Sequence, residues 1–243
     1  MTTDFSRRRF LGAAGAAGAA VAAGAGTVAA AAPGQASTPS GKKLKIVAIS
    51  CSPHKDSSTA KILQVCLEAA KQTGPNVETE LIELAGKKMN GLVAAGIELE
   101  PGQRDDFPAL VPKLADPAVG GILIGTPVYF GNMTSLCKEF LERCMAFRKD
   151  KFALRNKVAG VLALGAARNG GQELTIQSIQ AALFCQQLIV VGQAPPSSHP
   201  GAAIWNDKSN KAGVTGNEQN VKDAKALGER VAQVAAALAG AGK

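Results

Sequence analysis

Most reactive centres are built from residues this chain has little of. Two histidines, His54 and His199, and five cysteines without a C-x-x-C spacing supply no zinc or iron–sulfur ligand set. An odd number of thiols also argues against a disulfide framework. Cys137 and Cys144 are seven residues apart in an expected helix, hence about 10 Å apart along its axis, beyond the roughly 7 Å that a bridge tolerates. Aromatic residues are 4% of the 243, with one Trp and one Tyr, so the core must come from the aliphatic part of a 46% hydrophobic composition. Neither a dinucleotide glycine fingerprint nor a Gly-Lys-Ser/Thr phosphate loop occurs. No Ser-His-Asp or Cys-His constellation for nucleophilic catalysis stands out. The net charge of +8 is dispersed, apart from Arg7–Arg9 and the Lys42, Lys43, Lys45 group. Without a basic stripe, no nucleic-acid partner is expected.

What is present begins with a leader. Ser6-Arg7-Arg8-Arg9-Phe10-Leu11 precedes an uncharged Ala/Gly-rich run that lasts until Lys42. A basic start, a weakly apolar stretch and small residues before a cleavage point make a signal peptide, and the paired arginines followed by Phe-Leu resemble the twin-arginine export signal. Residues 1–36 are read as that signal, 37–43 as a linker and 44–240 as the folded domain. The expected location is therefore the periplasm or another exported compartment. Residues 11–32 are long enough for a retained anchor, but Ala and Gly supply little transfer energy. Membrane contact is expected only through an uncleaved leader. Removing residues 1–36 takes away three arginines and Asp4, leaving +6.

From Lys42 onward, short apolar runs alternate with helical patterns. Strands are expected at Leu44–Ser50, Val77–Leu84, Val119–Gly125, Lys157–Gly165 and Gln187–Gly192. Helices are expected from a Thr59 cap to Gln72, from Asp105 or Asp106 to Ala115, over Met133–Arg148, Gln172–Gln186 and Glu218–Leu238. Residues 85–104 and 194–216 read as long loops. Strand–helix alternation five times over predicts an α/β fold with a parallel sheet covered on both faces. The flavodoxin-like three-layer sandwich, five strands in order 2-1-3-4-5, fits it, with ligands bound outside the carboxyl ends of strands one and three.

Three connections fall at those carboxyl ends. The first, Ser50-Cys51-Ser52-Pro53-His54-Lys55-Asp56-Ser57-Ser58-Thr59, places hydroxyls and free N–H groups at a helix start. Such a start makes an anion site without a metal. The second, Pro127-Val128-Tyr129-Phe130-Gly131, offers a proline-stiffened aromatic ledge containing the only tyrosine. The third, Ala167-Arg168-Asn169-Gly170-Gly171, brings a cation and a pliable backbone to the same rim. Arg168 suits the edge of a ring that gathers negative charge on reduction. A phosphate at one end and a flat ring at the other describe flavin mononucleotide (FMN). The plainer alternatives are N-capping for the serines, core packing for the aromatics and a tight turn for the glycines. Trp205 is either a cover for the site or surface packing.

Together Ile49-Ser50-Cys51-Ser52-Pro53-His54, Gly125-Thr126-Pro127-Val128-Tyr129-Phe130-Gly131 and Ala167-Arg168-Asn169-Gly170-Gly171-Gln172-Glu173 resemble the NADPH-dependent FMN reductase and iron–sulfur flavoprotein group of the flavodoxin-like superfamily. The likeness runs from about Lys45 to Gly192. It implies that Ser52, His54, Ser58 and Thr59 hold the phosphate, with Ser50 and Ser57 beside them. Pro127, Val128, Tyr129, Phe130 and Gly131 would line the isoalloxazine, and Arg168, Asn169 and Gly170 its other edge. His54 stands where the group commonly has arginine, and residues 84–106 lack the cysteines of the iron–sulfur branch. The resemblance implies an FMN-dependent oxidoreductase that takes electrons from NAD(P)H and passes them to a flavin, quinone or other small-molecule acceptor. It also suggests a homodimer. An exported electron carrier without small-molecule turnover and a flavin-free binding module are the alternatives.

Overall fold

The computed structural model describes residues 43–196, 198–206 and 211–241; the expected signal and nearly all of the linker lie outside them. Strands β1 (Leu44–Ser50), β2 (Val77–Glu83), β3 (Val119–Pro127) and β4 (Val158–Gly165) form a parallel sheet. With β5 (Ile189–Val190) the order is β2-β1-β3-β4-β5, the order expected of a flavodoxin-like sandwich. Alternation along β1 explains the layers. Val47 and Ile49 join one apolar cluster, Ile46 and Ala48 the other. Burying each such aliphatic side chain contributes about 1.5–3 kcal/mol.

On one face lie α1 (Ser58–Gln72) and the closing helix Glu218–Ala241. Ser57, not Thr59, caps α1: its Oγ accepts the Ala60 N–H at 3.2 Å, while Thr59 is buried inside the first turn. The opposite face carries α2 (Val111–Ala115), α3 (Ser135–Arg143), α4 (Met145–Lys149) and α5 (Gln172–Phe184); the closing helix is α6. Where a helix was expected from Asp105 or Asp106, a 3-10 turn at Phe107–Leu110 precedes the short α2. Pro108 and Pro112 lack the N–H groups that a continuous helix would use there. The expected helix over Met133–Arg148 starts at Ser135, capped by Thr134, and tightens at Cys144, whose ψ of −7° separates α3 from α4.

The fifth strand differs most from expectation. It covers only Ile189–Val190, departs, and resumes as β6 (Ala202–Trp205), which pairs in parallel with the upper half of β4. The stretch 194–216 is therefore not one loop. Residues 85–104 contain a 3-10 turn at Gly91–Ala95. Their base is clamped by the buried Arg143, whose guanidinium donates to Asp105 at 2.9 and 2.8 Å and to the Met89 carbonyl at 2.6 Å.

At the opposite end of the sheet, buried Lys157 donates through Nζ to the carbonyls of Asp116 (2.8 Å) and Val119 (2.7 Å). Burial lowers its ammonium from 10.5 to about 8, against the pull of Asp116. The unfolded chain keeps that proton up to about 10.5, so unfolding between those values takes up a proton and stability rises with pH across the window. Lys157→Met is expected to flatten this rise when urea midpoints are compared at about pH 8 and pH 10.

Candidate functional site

The ladder sets the ends of β1, β3, β4 and β6 side by side. Ser50 stands opposite Gly125, Pro127 opposite Leu164, and Gly165 opposite Trp205. All three singled-out connections leave this one rim.

In the first connection, Ser50 and Ser52 are buried and Pro53, His54, Lys55 and Asp56 are exposed. Ser52 Oγ accepts the His54 N–H at 3.2 Å, closing a local turn. Asp56 adopts φ +49° with its N–H donating to Glu83 at 3.2 Å. Ser57 carries the cap and Ser58 opens the helix. The N–H groups of Ser58 and Thr59 donate to no group among the described residues, leaving the positive end of a 15-residue helix ready for an anion.

The second connection is tighter than a ledge. Pro127 is the buried last residue of β3, which runs two residues further than expected. Tyr129 and Asn132 exchange hydrogen bonds at 2.8 and 3.1 Å, and Phe130 (φ +51°) and Gly131 (φ +74°) form the tip. Positive φ at both central positions is the geometry of a primed turn. Val128 is half-buried, Tyr129 is 44% exposed and Phe130 is fully exposed. These aromatics are therefore not core.

Two contacts join the connections. Thr134 Oγ1 donates to the Cys51 carbonyl at 2.8 Å and accepts the Cys137 N–H at 3.1 Å, tying the first to the second. Gly171, at φ +93°, lets the third approach the second; a Cβ there would sit 3.1 Å from Gly131 Cα. The third connection holds Arg168 and Asn169 exposed and Gly170 half-buried. The Arg168 guanidinium lies 5.2 Å from the Trp205 ring centroid, so Trp205 stands at the rim under that cation.

Gln172, Asn220 and Thr134 were not singled out as site residues. Buried Gln172 donates through Nε2 to the carbonyls of Ala167 (2.7 Å) and Ile204 (3.1 Å), and its Oε1 accepts the Gly170 N–H at 2.7 Å. It braces the third connection against β6. Asn220 donates to the Trp205 carbonyl at 2.8 Å. A buried amide has no pattern in a sequence; only β6 reveals what these two serve.

The rim fits an FMN. Ser50 Oγ is buried at the end of β1 with no partner among the described residues, so a hydroxyl there awaits a polar group. Exposed aromatics stand beside an anion-ready helix start. An iron–sulfur cluster does not fit: no group of three His, Cys, Asp or Glu converges among the described residues. Four of the five thiols are buried. Burial raises the Cys51 thiol well above its usual range, and the adjacent Cys137 thiol adds to the rise.

A parallel sheet in this order, with such a rim, defines a flavodoxin-like nucleotide-binding protein. Comparison with known proteins narrows the class. The NADPH-dependent FMN reductase family matches residues 44–200, and the chain belongs to that family. An iron–sulfur flavoprotein of Methanocaldococcus jannaschii is 35% identical over 199 residues, covering 79% of this chain and 97% of the relative. An NAD(P)H dehydrogenase (quinone) of Paracoccus denitrificans is 29% identical over 199 residues, 76% of this chain and 89% of the relative. Among solved structures, a WrbA-like flavodoxin from Agrobacterium tumefaciens superposes with a TM-score of 0.56 at 17% identity, covering 80% of this chain and 98% of that one. The protein is an oxidoreductase that binds FMN. The flavin-free alternative gives way to this membership.

Proposed function

We propose that the protein carries electrons from NAD(P)H through FMN to a small-molecule acceptor such as a quinone or a free flavin. What supports this reading is that three connections, one anion-ready, one aromatic and one cationic, are fastened together on one rim by the Thr134–Cys51 and Gly171–Gly131 contacts. When bound, FMN supplies the two-electron chemistry. In this reading Ser50, Ser52, His54, Ser57, Ser58 and Thr59 surround the phosphate, and the open N–H groups of α1 donate to it. The turn from Pro127 to Gly131 lines the ring and shields one of its faces from water. Arg168, Asn169 and Gly170 meet its far edge, where the guanidinium holds developing negative charge. Gln172 and Trp205 position that third connection.

A second reading, an exported electron carrier, is favoured by fully exposed Phe130 at the rim; an apolar tip of that kind suits docking to a redox protein. Export by the twin-arginine route would favour the carrier, because free NAD(P)H is scarce outside the cytoplasm.

The purified protein is expected to be yellow and to lose its colour when NADPH or NADH is added without oxygen. Preparations still colourless after soaking in excess FMN would exclude both readings. Reduction by dithionite alone would favour the carrier. Tyr129→Ala is expected to weaken flavin retention on dialysis; unchanged flavin content would remove the turn from the site.

A further inference from the structure

The β2 side of the sheet reaches the first connection through one carboxylate. Ser50, the last residue of β1, lies opposite Glu83, the last of β2, and the Leu84 N–H donates to the Ser50 carbonyl at 2.9 Å. Pairing thus continues to the top of both strands, where the excursion 85–104 departs. It fixes half-buried Glu83 beside the connection that leaves β1. There Glu83 Oε1 accepts the Asp56 N–H at 3.2 Å.

That is the sole hydrogen bond among the described residues that ties 53–56 to another element. Cys51 is held at the base, by its N–H to the Gly125 carbonyl at 2.8 Å and by the Thr134 hydroxyl. Ser57 is held at the far end, by the first turn of α1. Between them Pro53, His54, Lys55 and Asp56 are exposed, and the Ser52–His54 turn is internal to the connection. Asp56 needs a holder more than its neighbours do. Its φ of +49° lies in the left-handed region, which crowds an L side chain, though Asp tolerates it better than most.

The residue so pinned stands directly before the Ser57 cap. Its backbone sets how α1 presents the open N–H groups of Ser58 and Thr59. Without the bond, 53–56 are free to wander, and a phosphate must order them again on binding. The flavin ring is lined by the second and third connections, so the loss falls on the phosphate.

Charge runs against the same contact. Glu83 forms no ion pair among the described residues, and a carboxylate beside an anion-ready helix start opposes an incoming phosphate. Its value to the site lies in the lone pair offered to Asp56, not in its charge.

We infer that Glu83 is a positioning residue for the flavin phosphate, acting through the Asp56 N–H to hold the β1–α1 connection in the shape that receives the anion. The inference rests on the placement of the phosphate at the start of α1 proposed above.

The test compares FMN with riboflavin, which lacks the phosphate, by fluorescence titration of the full chain freed of flavin. The ratio of the riboflavin Kd to the FMN Kd reads the phosphate's share of binding. Glu83→Ala is expected to lower that ratio roughly three- to tenfold, the worth of one hydrogen bond, with riboflavin binding unchanged. Glu83→Gln keeps an acceptor and removes the charge, so its ratio is expected to equal or exceed that of the unaltered chain. Urea midpoints are expected to stay the same in both variants, whereas a merely structural role would move them and weaken both flavins together. A ratio unchanged in Glu83→Ala, a fall in Glu83→Gln as large as in Glu83→Ala, or an equal weakening of both flavins would each overturn the assignment. An unaltered chain that binds riboflavin as tightly as FMN would instead remove the phosphate from the start of α1, and the role of Glu83 with it.

Discussion

Replacing Gly228 by alanine is expected to cost about 3 kcal/mol of stability and to loosen FMN in the same step. Alanine ordinarily improves a helix interior by roughly 0.5–1 kcal/mol over glycine, so the expected sign is reversed. The cause is the crossing of α1 and α6. A Cβ on Gly228 would sit 2.0 Å from the Cys66 carbonyl oxygen and 2.7 Å from its carbon. Both are backbone atoms of a helix and cannot rotate away. The strain must move α1, and α1 carries the anion-ready helix start. Urea denaturation and flavin retention on dialysis should therefore fail together. A stable variant that keeps its flavin would show the crossing has slack.

Arg143→Ala should be comparably damaging, at about 3–5 kcal/mol, because it leaves Asp105 partly buried and without its cation. The guanidinium also lies 4.8 Å from the Phe107 ring centroid, so a packing contact is lost with the charge. Pairing Arg143→Met with Asp105→Asn removes both charges and should recover a good part of the loss. If the double variant is as unstable as the single one, packing rather than the ion pair holds the excursion after β2. In either variant the base of the excursion loses the bond to the Met89 carbonyl.

Strand order was legible because LKIVAIS, VGGILIG and KVAGVLALG are aliphatic runs that suit only a sheet buried on both faces. The rim followed from that order, and so did the three connections. Where reading failed, long-range pairing had decided the outcome. Ala202–Trp205 is four residues directly after Pro200 and Gly201, and nothing local marks it as the continuation of a strand that stopped at Val190. Trp205 therefore had no partner until β4 supplied one. The Arg143–Asp105 clamp spans 38 residues, and no helical spacing announces it. Ser57 replaced Thr59 as the cap because a one-residue difference in where a helix opens lies within what a run of Ser-Ser-Thr leaves undetermined.

Both margins of the sheet are unsuited to recruiting another chain. On one side, β2 turns Glu78 and Glu80 toward Lys43, Lys45 and Lys113, with contacts of 2.5–2.8 Å, and charged margins discourage strand addition. On the other, the outer strand is broken into two- and four-residue pieces, too short to template a fibril. A variant that bridged the break between Val190 and Ala202 with a continuous β-branched segment would lengthen that margin and invite aggregation.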